Sequence, residues 1–545
     1  MATTGGYDSV TKTWSCEEQR PQFGEDLSMG ELIFQEMKRH PKDVAQISDS
    51  EKTILLREEL LMNAMRIASY LRNLGLEQSD VVGIIARNTT HISAVAYACF
   101  FNGIAPHSLN IAYLPEIIEK LYNITKPRIV FCDGDEYEKV REATAKLNVK
   151  IVTMRNHPTN SISIQDVLQT PVEKGFQPAR LKLGNSQQMF ILSSSGTTGT
   201  PKAITMSNSR KLLNGMNMLT TADVQYAAST LDWASGTAAA ISAGVFSTKR
   251  IISERAFDPA DTLRIIEEYK VTWLMQAPSH VAAIVGCPAI EVADLQSLRY
   301  FLYTGGRCTL ETQLALRRRL GRDCLNFGYG FSELGCFCAL NWKFDEKPTS
   351  VGRLTSGLKV KILDESGGPV GPNEVGEVCV NTGDHWPGYY GSPEATKQVY
   401  DEDNWMHSGD LGYMDDDGFL YIVDRKKDLL KYQSNKYYPH ELEELIARMP
   451  AVADVCAFGI WTEANGDEAA AAVVKKPREQ LTEQDVVEHV ARHAKTEFLR
   501  LHAGALIVDQ LQRSANGKTN RMATKQHFLQ AKGQVSVQSS GCAES

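Results

Sequence analysis

Ser193-Ser194-Ser195-Gly196-Thr197-Thr198-Gly199-Thr200-Pro201-Lys202 is the stretch on which the reading of this 545-residue chain turns. It follows Met189-Phe190-Ile191-Leu192, an apolar run that predicts a buried strand. Three serines, three threonines and two glycines then fill eight consecutive positions. Hydroxyls together with amides unobstructed by large side chains can wrap a polyphosphate. Lys202 closes the stretch with a cation. A loop of this composition directly behind a strand predicts phosphate binding rather than a flexible linker.

Two commoner nucleotide loops are excluded. A Walker A loop ends in Gly-Lys-Ser/Thr and opens a helix. Here Pro201 precedes Lys202 and Ala203 follows it, and proline removes an amide donor. A dinucleotide fingerprint begins at Gly328-Tyr329-Gly330, but Glu333 stands where the third glycine belongs.

The loop resembles the phosphate loop of the adenylate-forming superfamily, which includes acyl-CoA synthetases, 4-coumarate-CoA ligases and insect luciferases. The resemblance runs from about residue 50 to about residue 525 and includes five further motifs in the family's order. Tyr303-Thr304-Gly305-Gly306 resembles the strand and turn that contact adenine. Gly328-Tyr329-Gly330-Phe331-Ser332-Glu333 resembles Tyr-Gly-x-Thr-Glu. Ser408-Gly409-Asp410 resembles Ser/Thr-Gly-Asp, Asp424-Arg425 the Asp-Arg hinge, and Gly517-Lys518 the late Gly-Lys.

Composition sets the outer bounds. The chain is too long for one hydrophobic core, and 43% hydrophobic with 23% charged residues is ordinary for a globular protein. A formal charge of −8 argues against nucleic acid as a partner. No run of 18 or more apolar residues predicts a membrane span. The eleven cysteines form no dense framework, which suits reduced thiols. Cys336 and Cys338 have no second pair at a zinc-like spacing. The start shows no basic region before an apolar core, so no signal peptide is expected. The chain ends Ala-Glu-Ser rather than in the peroxisomal Ser-Lys-Leu. The expectation is an intracellular protein, cytoplasmic or peroxisomal without that address.

Apolar runs alternate with amphipathic stretches through the first 350 residues. Val81 to Ile85 and Ile129 to Phe131 predict strands, and Ile117 to Tyr122 predicts helix. Such alternation predicts α/β layers with parallel strands. From Val351 short strands with Gly and Asp turns predict a β-rich subdomain. After Asp424-Arg425 a helix is expected over Pro439 to Met449. Residues 1–25 and 533–545 are polar and small, and are expected to be loose tails. With the resemblance, the expected fold is α/β. A large N-terminal domain of stacked αβ subdomains spans 1–424, with its β-rich subdomain at about 351–424. A small mobile α+β C-terminal domain spans 425–545.

The resemblance also implies chemistry. An acid-thiol ligase would use ATP, magnesium and CoA to activate a carboxylic acid, fatty or aryl, as its acyl-adenylate and pass the acyl group to CoA. The expected phosphate and nucleotide contacts are Ser193, Ser194, Ser195, Gly196, Thr197, Thr198, Gly199 and Lys202, with Gly305, Gly306, Tyr329 and Gly330. Ser332 would meet the α-phosphate and Glu333 the magnesium. Asp410 would hold the ribose, supported by Arg425. Lys518 would serve adenylation and Lys431 the thiol step, with Asp424 as the pivot between them. Trp233 and Arg307 are large residues at the expected acyl pocket.

The chain also departs from the family. Ser434 stands where a glycine turn is usual beside the CoA channel. Ala203 replaces a glycine and Asn208 a histidine after the phosphate loop, and no histidine lies between Arg210 and His280. These departures motivate one alternative, a non-catalytic or adenylation-only paralogue that binds nucleotide and acyl ligand. The overall resemblance to insect members motivates a second, a luciferase-like oxygenase, against which the missing histidine speaks.

Overall fold

The computed structural model describes residues 5–19, 27–193, 202–306, 308–433, 435–513 and 519–533. Its chain divides into two compact units. The first is residues 1–308, 312–408 and 413–421, and the second is residues 309–311, 409–412 and 422–545.

The first unit is built on two large sheets, as the alternating pattern predicts. In one, five neighbouring strands run Gln188–Ser193, Ala105–Ser108, Val81–Ile85, Ile129–Cys132 and Lys150–Thr153, all parallel. Ile162–Ser163 extends the far edge, and Ala203–Ser207 returns antiparallel beside Gln188–Ser193. The other sheet has nine strands. Its six central strands, among them Trp273–Gln276, Tyr300–Thr304 and Leu325–Tyr329, are parallel, and short antiparallel strands close both edges. Strands buried on both faces read as continuous apolar runs, which is why Val81-Val82-Gly83-Ile84-Ile85 shows no alternation.

Helices of matching character pack in this unit. In Ile92–Asn102 every residue is buried, as expected of a helix apolar all round. Close approach is secured by glycine. A Cβ on Gly30, in the helix Met29–Arg39, would lie 2.3 Å from the Phe100 carbonyl oxygen. One on Gly244, in the helix Ala234–Val245, would meet Ile33 at 2.9 Å.

The expectation of a loose tail over residues 1–25 is corrected here. Gly5–Asp8 and Thr13–Cys16 form an antiparallel hairpin, and its second strand pairs with Lys359–Leu363. Trp14 and Cys16 alternate into the core while Tyr7 stacks on Trp14 at 4.6 Å. Two inward side chains supply the buried face that overall polarity concealed. The hairpin edges a six-stranded sheet completed by Gly376–Asn381, Met406–Met414 and Leu420–Arg425.

The second unit carries a five-stranded sheet centred on the long hairpin Val452–Thr462 and Gly466–Lys475, with Gly504–Val508 parallel to the latter. The predicted helix is present as Pro439–Ala447, with Leu442 and Ile446 buried against Val452, Ala457 and Val490. No helix among the described residues is long and apolar enough to cross a membrane.

Candidate functional site

Parallel sheets bind ligands beyond the carboxyl ends of their strands, and in the first unit three motifs stand there. Ser193 ends Gln188–Ser193, Gly305-Gly306 follows Tyr300–Thr304, and Gly330 to Glu333 follows Leu325–Tyr329. Ser194, Ser195, Gly196, Thr197, Thr198 and Gly199 lie outside the described residues, as do Arg307, Ser434, Gly517 and Lys518.

Ser193 is anchored from below by a residue the sequence reading passed over. In the parallel register His107 pairs with Ile191, so Ser193 sits two positions further along the same face. His107 Nε2 lies 3.3 Å from Ser193 Oγ, and Nδ1 lies 2.9 Å from Thr125 Oγ1. The Thr125 hydroxyl donates to the Leu121 carbonyl, so it accepts from Nδ1–H. Nε2 is then an acceptor, and the Ser193 hydroxyl proton points at His107 rather than at a ligand. Complete burial pushes the imidazole down to about 3, so it stays neutral. A lone histidine in Ala105-Pro106-His107-Ser108 gives no sequence signal beyond a core residue.

Lys202 and Glu333 meet on another residue that was missed. The Lys202 ammonium sits over the Tyr389 ring, 4.7 Å from its centre. The Tyr389 hydroxyl donates to Glu333 Oε1 at 2.7 Å. Burial, reinforced by the Glu333 charge, pushes that phenol far above its ordinary range, so it remains a donor. Its segment is pinned to the strand after the phosphate loop. Tyr389 bridges to Ile204, the Tyr390 amide donates to the Ala203 carbonyl, and Trp386 Nε1 donates to the Thr205 carbonyl. The only sequence signal was an aromatic cluster around Pro387-Gly388. Magnesium takes one or two carboxylates alongside phosphate and water oxygens. Glu333 fits that role: Tyr389 occupies one oxygen, and the other makes no hydrogen bond among the described residues.

The glycines divide by cause. Gly305 has φ +90°, which calls for glycine. Gly306 faces open space, since a Cβ there would meet only Pro278 at 3.5 Å. A Cβ on Gly330 would lie 2.5 Å from the Cys336 carbonyl oxygen, so packing alone requires that glycine. Tyr329 is only 7% exposed, and Ser332 is half-buried beside it.

Trp233 is half-buried and immediately precedes the helix Ala234–Val245. Its turn is rigid. The buried Asp232 accepts hydrogen bonds from Thr230 and, at 2.7 Å, from Asn110. A Cβ on Gly236 would lie 2.0 Å from the Thr230 carbonyl oxygen. Asn208 has a structural task, its Oδ1 accepting the Met29 amide at 2.9 Å at the head of a helix.

In the second unit Arg425 Nε donates to Asp410 Oδ1 at 2.9 Å, with Asp410 buried and Arg425 half-exposed. Gly409 has φ +69°, which turns the chain so that Asp410 points inward. Asp424 accepts its neighbouring amide at 2.7 Å and lies 3.2 Å from His440 Nδ1. Burial raises its carboxyl, but His440 and the Arg521 charge outweigh that and hold it below the ordinary value. Lys431 is exposed on a short hairpin, paired in register with Lys436, and its amide donates to Asp467 Oδ2 at 3.0 Å.

Comparison with known proteins identifies the family. The model of the AMP-binding enzyme family matches residues 33–390, and that of the AMP-binding enzyme C-terminal domain matches residues 441–518. Luciferin 4-monooxygenase of Photuris pensylvanica is 27% identical over 537 residues, covering 94% of this chain and 97% of the relative. A 4-coumarate–CoA ligase of Humulus lupulus is 25% identical over 511 residues, covering 91% and 93%. An anthranilate CoA ligase solved with anthranoyl-AMP shares the fold at TM-score 0.85 and 19% identity, over 94% of this chain and 99% of that one.

Proposed function

The chain belongs to the AMP-binding enzyme family of adenylate-forming enzymes, and from that premise we propose that it is an acid-thiol ligase, activating a carboxylic acid with ATP and passing the acyl group to CoA. The observation that carries this reading is the meeting of Lys202 and Glu333 on Tyr389. It sets a cation and a carboxylate of the kind magnesium takes together at the carboxyl ends of the strands.

In the first half-reaction a carboxylate oxygen attacks the α-phosphorus, the bond from that phosphorus to the bridging oxygen breaks, and pyrophosphate leaves. Both reactants are anionic, so the protein's work is positioning and charge neutralisation. Lys202 and the loop from Ser193 hold the phosphates, and Ser332 offers a hydroxyl to the α-phosphate. Tyr329, Gly305 and Gly306 receive adenine, and Asp410 with Arg425 the ribose. Glu333 would hold magnesium, which supplies charge to the departing phosphates. Lys518, outside the described residues, is assigned the adenylation step by the family resemblance. In the second half-reaction a thiol attacks the acyl carbonyl and AMP leaves, with Lys431 serving this step and Asp424 the pivot between the two. Trp233 is the residue we assign to the acyl pocket, with Arg307, outside the described residues, assigned there by the resemblance alone.

A panel of fatty and aryl acids, followed by pyrophosphate release with and without CoA, tests the reading. Release that requires both a suitable acid and ATP, with acyl-CoA formed when CoA is present, is the expected result. Nucleotide binding without pyrophosphate from any acid would establish a non-catalytic paralogue. Gln433-Ser434 in place of the family's glycine turn favours a second reading, an adenylation-only enzyme. Pyrophosphate release with no acyl-CoA would select it.

A further inference from the structure

The first unit contains a buried polar cavity that the ligase reading does not use. Its polar lining is Arg57, Arg250, Ser93, Tyr97, Gln46, Ser247 and Thr248, with apolar residues completing its walls. The cavity has room for about one small particle and too little for a phosphate or carboxylate.

The two guanidiniums differ, for Arg57 lies near the carboxylates of Asp43 and Glu36 whereas no carboxylate among the described residues acts on Arg250. Arg250 is 3% exposed and makes no ion pair among the described residues. Its Nη1 donates to Ser93 Oγ at 2.9 Å, while Nη2 is buried with no partner. Arg57 Nη1 is paired with Asp43 Oδ2 at 3.1 Å and Nη2 donates to the Ser247 carbonyl, but its Nε is also buried without a partner. The neighbouring neutral side chains bond to one another or to backbone. Ser93 donates to Gln46 Oε1 at 2.6 Å, Gln46 Nε2 donates to the Thr90 carbonyl at 2.8 Å, and Gln225 Nε2 donates to Thr248 Oγ1 at 2.7 Å. The Tyr97 hydroxyl donates to the Ala240 carbonyl at 2.6 Å, and burial pushes that phenol up to about 12, so it supplies no negative charge.

Every lining side-chain atom left unsatisfied is therefore an N–H of a guanidinium. A water could accept from these groups but would leave the Arg250 charge without a counter-ion. An anion accepts only. A buried charge without a counter-ion is costly, and the cavity lies where that cost would be relieved. We propose that this cavity binds a single halide-sized inorganic anion, chloride in ordinary solution, as the counter-ion of Arg250.

The site joins the helices Met29–Arg39, Arg57–Asn73 and Ile92–Asn102 to the strand Lys249–Ile252, so its occupancy should register in stability. The direct experiment is diffraction from wild-type crystals grown in sodium bromide, with anomalous data at the bromine edge. An anomalous peak in hydrogen-bonding contact with Arg250 Nη2 is expected. In parallel, thermal unfolding is followed in sodium chloride and in sodium gluconate at equal ionic strength. Wild type should melt about 2 °C higher in chloride, the size of effect expected from a bound ligand of modest affinity. Arg250→Met should melt at the same temperature in both salts. A normal peak without anomalous signal would mean a water and would overturn the proposal, as would no density at all. An equal chloride response in wild type and Arg250→Met would overturn it too. Should Arg250→Met not fold, the wild-type anomalous map alone decides.

Discussion

Tyr389→Phe isolates one hydroxyl at the centre of the candidate site. The ring, its place beneath Lys202 and its bridge to Ile204 all survive the substitution. What disappears is the hydrogen bond to Glu333 Oε1 at 2.7 Å. Hydrogen bonds to charged groups contribute about 1.5–3 kcal/mol. Glu333 is only half-buried, so water replaces part of the loss and the lower end applies. About 1.5 kcal/mol corresponds to a roughly tenfold fall in kcat/KM for ATP-dependent pyrophosphate release. Glu333→Gln should cost far more, about a hundred- to thousandfold, because it removes the charge placed where phosphate charge develops. The double variant completes the argument. If Tyr389 acts by orienting Glu333, adding Tyr389→Phe to Glu333→Gln should change kcat/KM less than about twofold, because coupled neighbours are not additive. Multiplying single effects would refute that link. A Tyr389→Phe enzyme with lowered Tm and unaltered kcat/KM would make the contact a purely structural one.

His107→Leu should raise KM for ATP about fivefold, by freeing Ser193 at the root of the loop, one hydrogen bond's worth of order. The change should be equal at pH 6 and pH 9, because the buried imidazole is neutral throughout; a pH-dependent change would refute that neutrality. His407 is pushed up to about 10, first by its hydrogen bond to Cys379 and then by Glu377, with Asp401 also 3.6 Å away. A raised folded value means stabilisation complete below about pH 6.5 and lost as pH rises through about 10. Wild type should therefore exceed His407→Gln by about 0.5–1 kcal/mol at pH 6, a margin gone by pH 11 in denaturant titrations. Asp410→Asn should weaken ATP binding about tenfold or more without changing the preferred acid, and calorimetry with ATP alone would check this. Trp233→Ala should extend the accepted acids by two or three carbons, at about 0.8 kcal/mol for each added buried methylene; a destabilised variant with an unchanged chain-length profile would mark Trp233 as structural.

Much of this was legible because a parallel sheet writes its site locally. Each strand's carboxyl end is followed at once by the residues facing the ligand, so Ser193, Gly305 and Glu333 announce themselves beside apolar runs. The hairpin Thr13–Cys16 was not legible, since two inward residues in a polar segment are too few to show a period of two. Gly330 was legible for an incomplete reason: it belongs to a recognised motif, yet the Cys336 carbonyl would demand glycine there with no nucleotide present.

The residues that hold the motif side chains were illegible for a physical reason. His107 reaches Ser193 only because Ala105–Ser108 lies beside Gln188–Ser193 in the sheet, and that order is not chain order. Tyr389 reaches Glu333 only because its segment is pinned across Ala203–Ser207. Arg250 shows the same limit from the other side. Lys249-Arg250-Ile251-Ile252 reads as a strand with an outward-facing basic start, but parallel neighbours on both sides bury its second residue. Side chains that meet a ligand follow strand ends and can be read along the chain. The groups that orient or neutralise them come from adjacent strands and helices, and are set by sheet order. Substitutions at His107, Tyr389 and Arg250 are therefore the sharper test of this structure, because the sequence motifs alone assign those three residues no effect.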